Sequence, residues 1–113
     1  MVDTSKIKFN IPNITIKKLS SYGFKCVYSN PEEIFFSRHY PIYKYKNKCT
    51  IDCEIIVEVN SGDVSIKMLN ANTKTLYPLF YNQHLLYAQP MINKINENLM
   101  DILNKIGAVG INE

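Results

Sequence analysis

Between Cys49 and Val59 apolar side chains fall on alternate positions: Ile51, Cys53, Ile55, Val57 and Val59 share one face, and Asp52, Glu54 and Glu58 share the other. A turn tetrapeptide follows, Asn60-Ser61-Gly62-Asp63, and Val64, Ile66 and Met68 take up the same alternation. Period-two alternation on both sides of a glycine turn predicts a β-hairpin with one buried face. Facing Asn60 with Asp63 sets Val59 opposite Val64, Val57 opposite Ile66 and Ile55 opposite Met68, all on the apolar face. Ile56 interrupts the polar face, which predicts that something covers part of that side.

Towards the C-terminus the period changes. Ile92, Ile95, Leu99, Ile102, Leu103 and Ile106 recur at three- and four-residue spacing, the stripe of an amphipathic helix. Pro90 suits its first turn and Gly107 its end. About 17 residues would span about 25 Å, enough to cross a small sheet. Earlier in the chain, Ile7, Phe9 and Ile11 alternate as an extended arm or edge strand. Residues 14–22 predict a short helix in which Ile16 and Leu19 share a face, with Gly23 as C-cap. Residues 24–29 and 34–39 predict strands. Pro41 cannot donate to a ladder, so residues 42–46 form a bent continuation or an edge. The expected fold class is α+β. An antiparallel sheet of four to six strands carries the C-terminal amphipathic helix on one face, together with a short N-terminal helix.

At 113 residues the chain is expected to be a single globular domain, residues 1–113. Apolar residues make up 46 per cent and charged residues 20 per cent, which excludes wholesale disorder. No apolar run approaches the roughly 18 residues that cross a bilayer, and the opening residues lack a signal-peptide core. A cytoplasmic protein with free thiols and no membrane partner is the expectation. Lysine, asparagine and isoleucine are abundant, a codon signature of an AT-rich genome. Arg38 is the sole arginine, so clamps that need several arginines are not available. Residues 1–48 carry nine cations and three carboxylates, and residues 49–113 carry four and seven. A basic half can attract nucleic acid or an acidic protein.

Catalytic chemistry finds little to stand on. Cys49 and Cys53, four apart on a strand, point to one face about 13 Å from each other and do not chelate one ion. His39 and His84 could serve a thiol nucleophile only if the fold brings a cysteine beside one of them. The four glycines stand alone, so no phosphate loop is present. Neither a cofactor nor a metal is expected. The richest constellation is Arg38 to Lys48, where tyrosines alternate with cations. Tyr43 and Tyr45 would share one strand face and Lys44, Lys46 and Lys48 the other. The competing structural reading is an edge strand whose lysines oppose aggregation. Tyr77-Pro78-Leu79-Phe80-Tyr81-Asn82 is a second aromatic cluster, either an anchor for a partner or the joint between sheet and helix.

The order of hairpin, then Tyr77-Pro78-Leu79-Phe80-Tyr81-Asn82, then a polar-faced helix ending Ile106-Gly107, resembles small uncharacterised proteins from phages and mobile elements of AT-rich Gram-positive bacteria. That group includes anti-CRISPR and other anti-defence proteins. The resemblance implies an accessory protein that acts in the bacterial cytoplasm by binding and blocking a host protein or protein–nucleic acid complex. It is expected to be non-enzymatic. Tyr40, Tyr43, Lys44, Tyr45 and Lys46 are the expected contact residues, with Tyr77 and Tyr81 second. The alternative is a nucleic-acid-binding module using residues 38–48, and a homodimer stays open. The net basic charge argues against a DNA mimic, which should be strongly acidic.

Overall fold

The computed structural model describes residues 3–111. Its strands are β1 (Lys8–Asn10), β2 (Lys25–Ser29), β3 (Ile34–Tyr45), β4 (Lys48–Glu58), β5 (Asp63–Asn70) and β6 (Val109–Ile111). They form one open antiparallel sheet in the order β2-β3-β4-β5-β1-β6. The helices are α1 (Ile16–Ser21), α2 (Pro78–Tyr81) and α3 (Gln89–Lys105), with 3-10 turns at Thr4–Lys6 and Leu86–Ala88. Among the described residues no helix is long and apolar enough to cross a membrane.

The helices cover one face of the sheet. Leu19, Phe80, Ile95, Leu99 and Leu103 join a single buried cluster with Ile51, Cys53, Ile55, Val57 and Met68. Each such side chain contributes about 1.5–3 kcal/mol by leaving water. The stripe on α3 is therefore what fastens helix to sheet. Gly107 ends that helix with φ +77°. Its N–H bonds to Asn104 O and that of Ala108 to Leu103 O, the paired closure that a left-handed residue permits. The N-terminal arm enters the sheet, where β1 lies between β5 and β6.

Four expectations need correction. The β4–β5 register is two residues from the one derived above: Val57 faces Val64, Ile55 faces Ile66 and Cys53 faces Met68. Gly62 closes a longer loop, its N–H reaching Glu58 O at 2.8 Å, and an even shift leaves every side chain on its expected face. Ile56 is half-buried by neighbours on its own face, Ser37 and Ser65 across the ladder, and not by a covering element. In α1, Thr15 caps the helix through Lys18 N–H and Leu19 is buried, whereas Ile16 is exposed and Ile14 takes the inward place. Cys49 and Cys53 do not share a face: an irregularity in the ladder between Ile51 and Cys49 separates a buried Cys53 from a half-buried Cys49.

Beside α3 three buried polar side chains close a ring. The Thr4 hydroxyl donates to Asn96 Oδ1, the Asn96 amide donates to Gln83 Oε1 at 2.9 Å, and the Gln83 amide donates to Thr4 Oγ1 at 3.4 Å. Gln89 then ties the chain above, donating to the carbonyls of Gln83 and Leu85.

Candidate functional site

A second hairpin, β3–β4, forms where the alternation from Pro41 onwards left a bend. Its two-residue turn is Lys46–Asn47, both with positive φ, 51° and 66°. This is the turn whose twist matches paired strands. The ladder slips at Ile42 on β3 and at Thr50 on β4. The slips bend the hairpin, and Thr50 Oγ1 donates to Tyr43 O at 3.4 Å. From Arg38 onwards β3 has β4 on one side only, because β2 ends its pairing at Ser37.

The tip gathers Lys44, Tyr45, Lys46 and Lys48, all exposed, with Tyr45 59 per cent exposed. Lys46 Nζ lies 5.5 Å from the centroid of the Tyr45 ring. The alternation of faces expected for a straight strand is thus undone at the turn, where a cation sits over an aromatic. No carboxylate occurs from residue 34 to residue 51, and the first on β4, Asp52, is held by His39, so the charge next to the turn is uncompensated.

The other expected contact residues go elsewhere. Tyr43 is half-buried at the base of the hairpin and packs against the core. Tyr40 lies under Arg38, whose guanidinium carbon is 4.3 Å from the ring centroid, and meets Phe24 edge-on at 6.2 Å. Burial pushes the Tyr40 phenol up, opposed by the Arg38 cation. Arg38 also donates to Tyr22 O at the C-terminal end of α1, where a cation complements the helix dipole. Tyr77 packs against the core, its phenol raised by burial and then by Tyr43. The Tyr81 hydroxyl accepts from Met68 N–H at 3.1 Å, which fixes the joint between sheet and α2.

On the uncovered face, His39, Pro41, Cys49, Asp52, Ala71 and Lys74 line an open depression of about 650 Å³. His39 Nδ1 is 2.6 Å from Asp52 and Nε2 is 3.4 Å from Glu54. Cys49 donates to Ile51 O at 3.3 Å, so a thiol and an imidazole border one hollow while each is turned to other partners. Among the described residues no group of three or more His, Cys, Asp or Glu is arranged to hold a metal. Burial pushes the Cys53 thiol far up, with Asp52 and Glu54 adding to it. Thiol titration of the native protein should find Cys26 fast, Cys49 slower and Cys53 silent until unfolding. A third equivalent from the native state would show that the sheet opens beneath α3.

The most exposed apolar side chains were not singled out by the sequence pattern. They are Leu86 and Tyr87, 85 and 81 per cent exposed, on the 3-10 turn before α3. An apolar Leu-Leu-Tyr run preceding a helix reads equally well as a buried joint.

The chain matches no family model and no curated protein. Among solved structures it is similar to a DUF1831 family protein from Lactobacillus plantarum, with a TM-score of 0.56 and 13% identity. The similarity covers 92% of this chain and 88% of that one. At this identity the likeness bears on fold alone, that of an open antiparallel sheet with its helices on one face.

Proposed function

We propose that this protein works by binding rather than by catalysis, with the β3–β4 hairpin as its contacting element. The single observation that carries this reading is the tip itself, with three exposed lysines and Tyr45 and no carboxylate from residue 34 to 51. Exposed tyrosine supplies interface area at small entropic cost, and uncompensated lysines steer an acidic surface into contact. In the setting implied by the resemblance to phage and mobile-element proteins, that surface belongs to a bacterial defence complex, which the protein inhibits by occupying it. Contact then falls to Lys44, Tyr45, Lys46 and Lys48. Tyr43 stiffens the base, and Tyr40, Tyr77 and Tyr81 support the fold.

Affinity capture from a bacterial lysate tests this. The wild-type protein should enrich a protein complex. Lys44→Glu, Lys46→Glu and Lys48→Glu combined with Tyr45→Ala should weaken capture about a hundredfold without lowering stability. Capture that survives these changes would overturn the reading. A second reading, single-stranded nucleic acid, draws on the placement of Lys46 over Tyr45, which joins stacking to backbone charge at one point. It requires oligonucleotide affinity falling with salt at a log–log slope of about −2 for three lysines. Undetectable oligonucleotide binding refutes it.

A further inference from the structure

Three observations converge on the end of the molecule that carries the Lys46–Asn47 turn. The first is direction. Ile102 and Ile106 lie beside Arg38 and Tyr40, and Asn98 donates to Ile42 O at 2.6 Å, so α3 runs antiparallel to β3. From Asn98 back to Gln89 is about 13 Å of helix, and from Ile42 on to Lys46 is about 13 Å of strand. The start of α3, with the turn Leu86–Ala88 before it, therefore lies at the level of the hairpin tip. The 71–75 loop is there too, because Ala71 N–H bonds to Thr50 O at 3.0 Å.

The second is charge. The segments 34–51 and 64–96, which build most of this end, contain no Asp or Glu, and the bordering Asp52, which shares a hollow with Lys74, is engaged by His39. These segments present Lys44, Lys46, Lys48, Lys74 and Lys94, all exposed. The third is the pair Leu86 and Tyr87. Side chains more than four-fifths exposed stand out from the surface and line no groove of their own. Their backbone is nevertheless fixed from beneath, with Ala88 buried, Ala88 N–H bonded to Leu85 O, and Gln89 holding the carbonyls of Gln83 and Leu85. Gln83 is in turn held in the buried ring with Thr4 and Asn96.

We infer that this end docks peripherally on an anionic lipid surface, with Leu86 and Tyr87 entering the boundary between headgroups and acyl chains while the lysines meet the lipid phosphates. The chemistry of each part selects this occupant. A nucleic-acid strand would use the lysines and Tyr87 but leave Leu86 in water. A projecting Leu-Tyr pair on a rigid turn suits a deformable layer whose interior is apolar and whose surface is negative. Tyrosine is suited to that depth, since its ring is apolar and its hydroxyl stays hydrated. The inference shares Lys44, Lys46 and Lys48 with the contact surface proposed for the hairpin and differs from that reading in the Leu86–Tyr87 turn, whose replacement leaves hairpin recognition intact.

Co-sedimentation with vesicles of phosphatidylcholine mixed with phosphatidylglycerol, against phosphatidylcholine alone, tests it. The full chain should bind the mixed vesicles and not the neutral ones. Leu86→Ser with Tyr87→Ser should lower the partition coefficient about tenfold or more, with an unchanged melting temperature because both side chains are exposed. Removing each of Lys44, Lys46 and Lys48 should lower it about fivefold, and salt should weaken binding. Failure to bind the mixed vesicles overturns the inference. So does binding that is indifferent to Leu86→Ser with Tyr87→Ser, since charge alone would then account for it. Tight binding of a poly-dT oligonucleotide, lost in Tyr87→Ser and unaccompanied by vesicle binding, would assign the surface to nucleic acid instead.

Discussion

Replacing Gly62 with alanine is expected to cost about 3–4 kcal/mol of folding free energy, while the same change at Gly107 costs about 1 kcal/mol. Both glycines have left-handed backbones, with φ of +78° and +77°, so the conformational penalty of adding a Cβ is common to the two. What differs is the space around them. A Cβ on Gly107 meets nothing within 4 Å, whereas one on Gly62 would stand 2.5 Å from the carbonyl oxygen of Ile11. That neighbour is main chain and gives way only if the strand moves. Moving it strains two hydrogen bonds, Ile11 N–H to Gly62 O at 2.9 Å and Asn10 Nδ2 to Ser61 O at 2.9 Å. Each is worth about 1 kcal/mol. Denaturant unfolding of the two variants side by side isolates the contact, because the conformational term cancels between them. Equal losses would mean that the β4–β5 loop does not press on the N-terminal arm.

The same loop shows what the residues did and did not disclose. Alternation along residues 49–68 was enough to identify a hairpin and its buried face, because side-chain direction depends only on odd or even position. It was not enough for register, since a glycine two residues after Asn60 fits a two-residue turn as well as the four-residue loop that forms. The helix from Gln89 was legible from its stripe, where six apolar positions fall within one arc. β1 falls within the alternation of Ile7, Phe9 and Ile11, although it lies between β5 and β6 and not at an edge, whereas β6 has three residues, too few for a period to emerge, and exists because β1 offers it a partner. At the hairpin tip the turn residues are Lys46 and Asn47, and without a glycine the usual signal of that turn is missing. Bulges then decided which tyrosines reach water, leaving Tyr45 out and drawing Tyr43 in.

Leu86 and Tyr87 illustrate a different gap. Their hydrophobicity argues for burial, and only the fixing of Gln83 and Ala88 beneath the turn forces them outward. Asymmetry of charge was visible as a count over halves of the chain. Its spatial form, an end where lysines outnumber the single bordering carboxylate of Asp52, needed the antiparallel course of α3 along β3. The polar ring was not legible at all, since Thr4, Gln83 and Asn96 lie in segments with no shared pattern.

That ring carries the second large effect. Asn96→Leu keeps the branched outline of the side chain while removing its two hydrogen bonds within the ring, and it leaves the Thr4 hydroxyl proton and Gln83 Oε1 without those partners. All three residues are buried, with relative exposures of 3, 4 and 7 per cent for Thr4, Gln83 and Asn96. Water therefore does not replace what is lost, and the expected cost is about 2–4 kcal/mol, a large part of the roughly 5–15 kcal/mol typical of a domain. Thr4→Val should cost less, because one of the two bonds it removes, from the Gln83 amide, is long at 3.4 Å, while the 2.9 Å bond from Asn96 to Gln83 survives. In the double variant only the Gln83 amide is stranded, so the loss should fall short of the summed single losses by on the order of 1 kcal/mol. Additive losses would mean that the three groups act separately. The cycle should be accompanied by proteolysis near Leu86, for the turn that displays Leu86 and Tyr87 is held by the same glutamine. If Asn96→Leu lowers stability yet leaves that turn equally resistant, the ring anchors the arm at Thr4 and not the apolar pair above it.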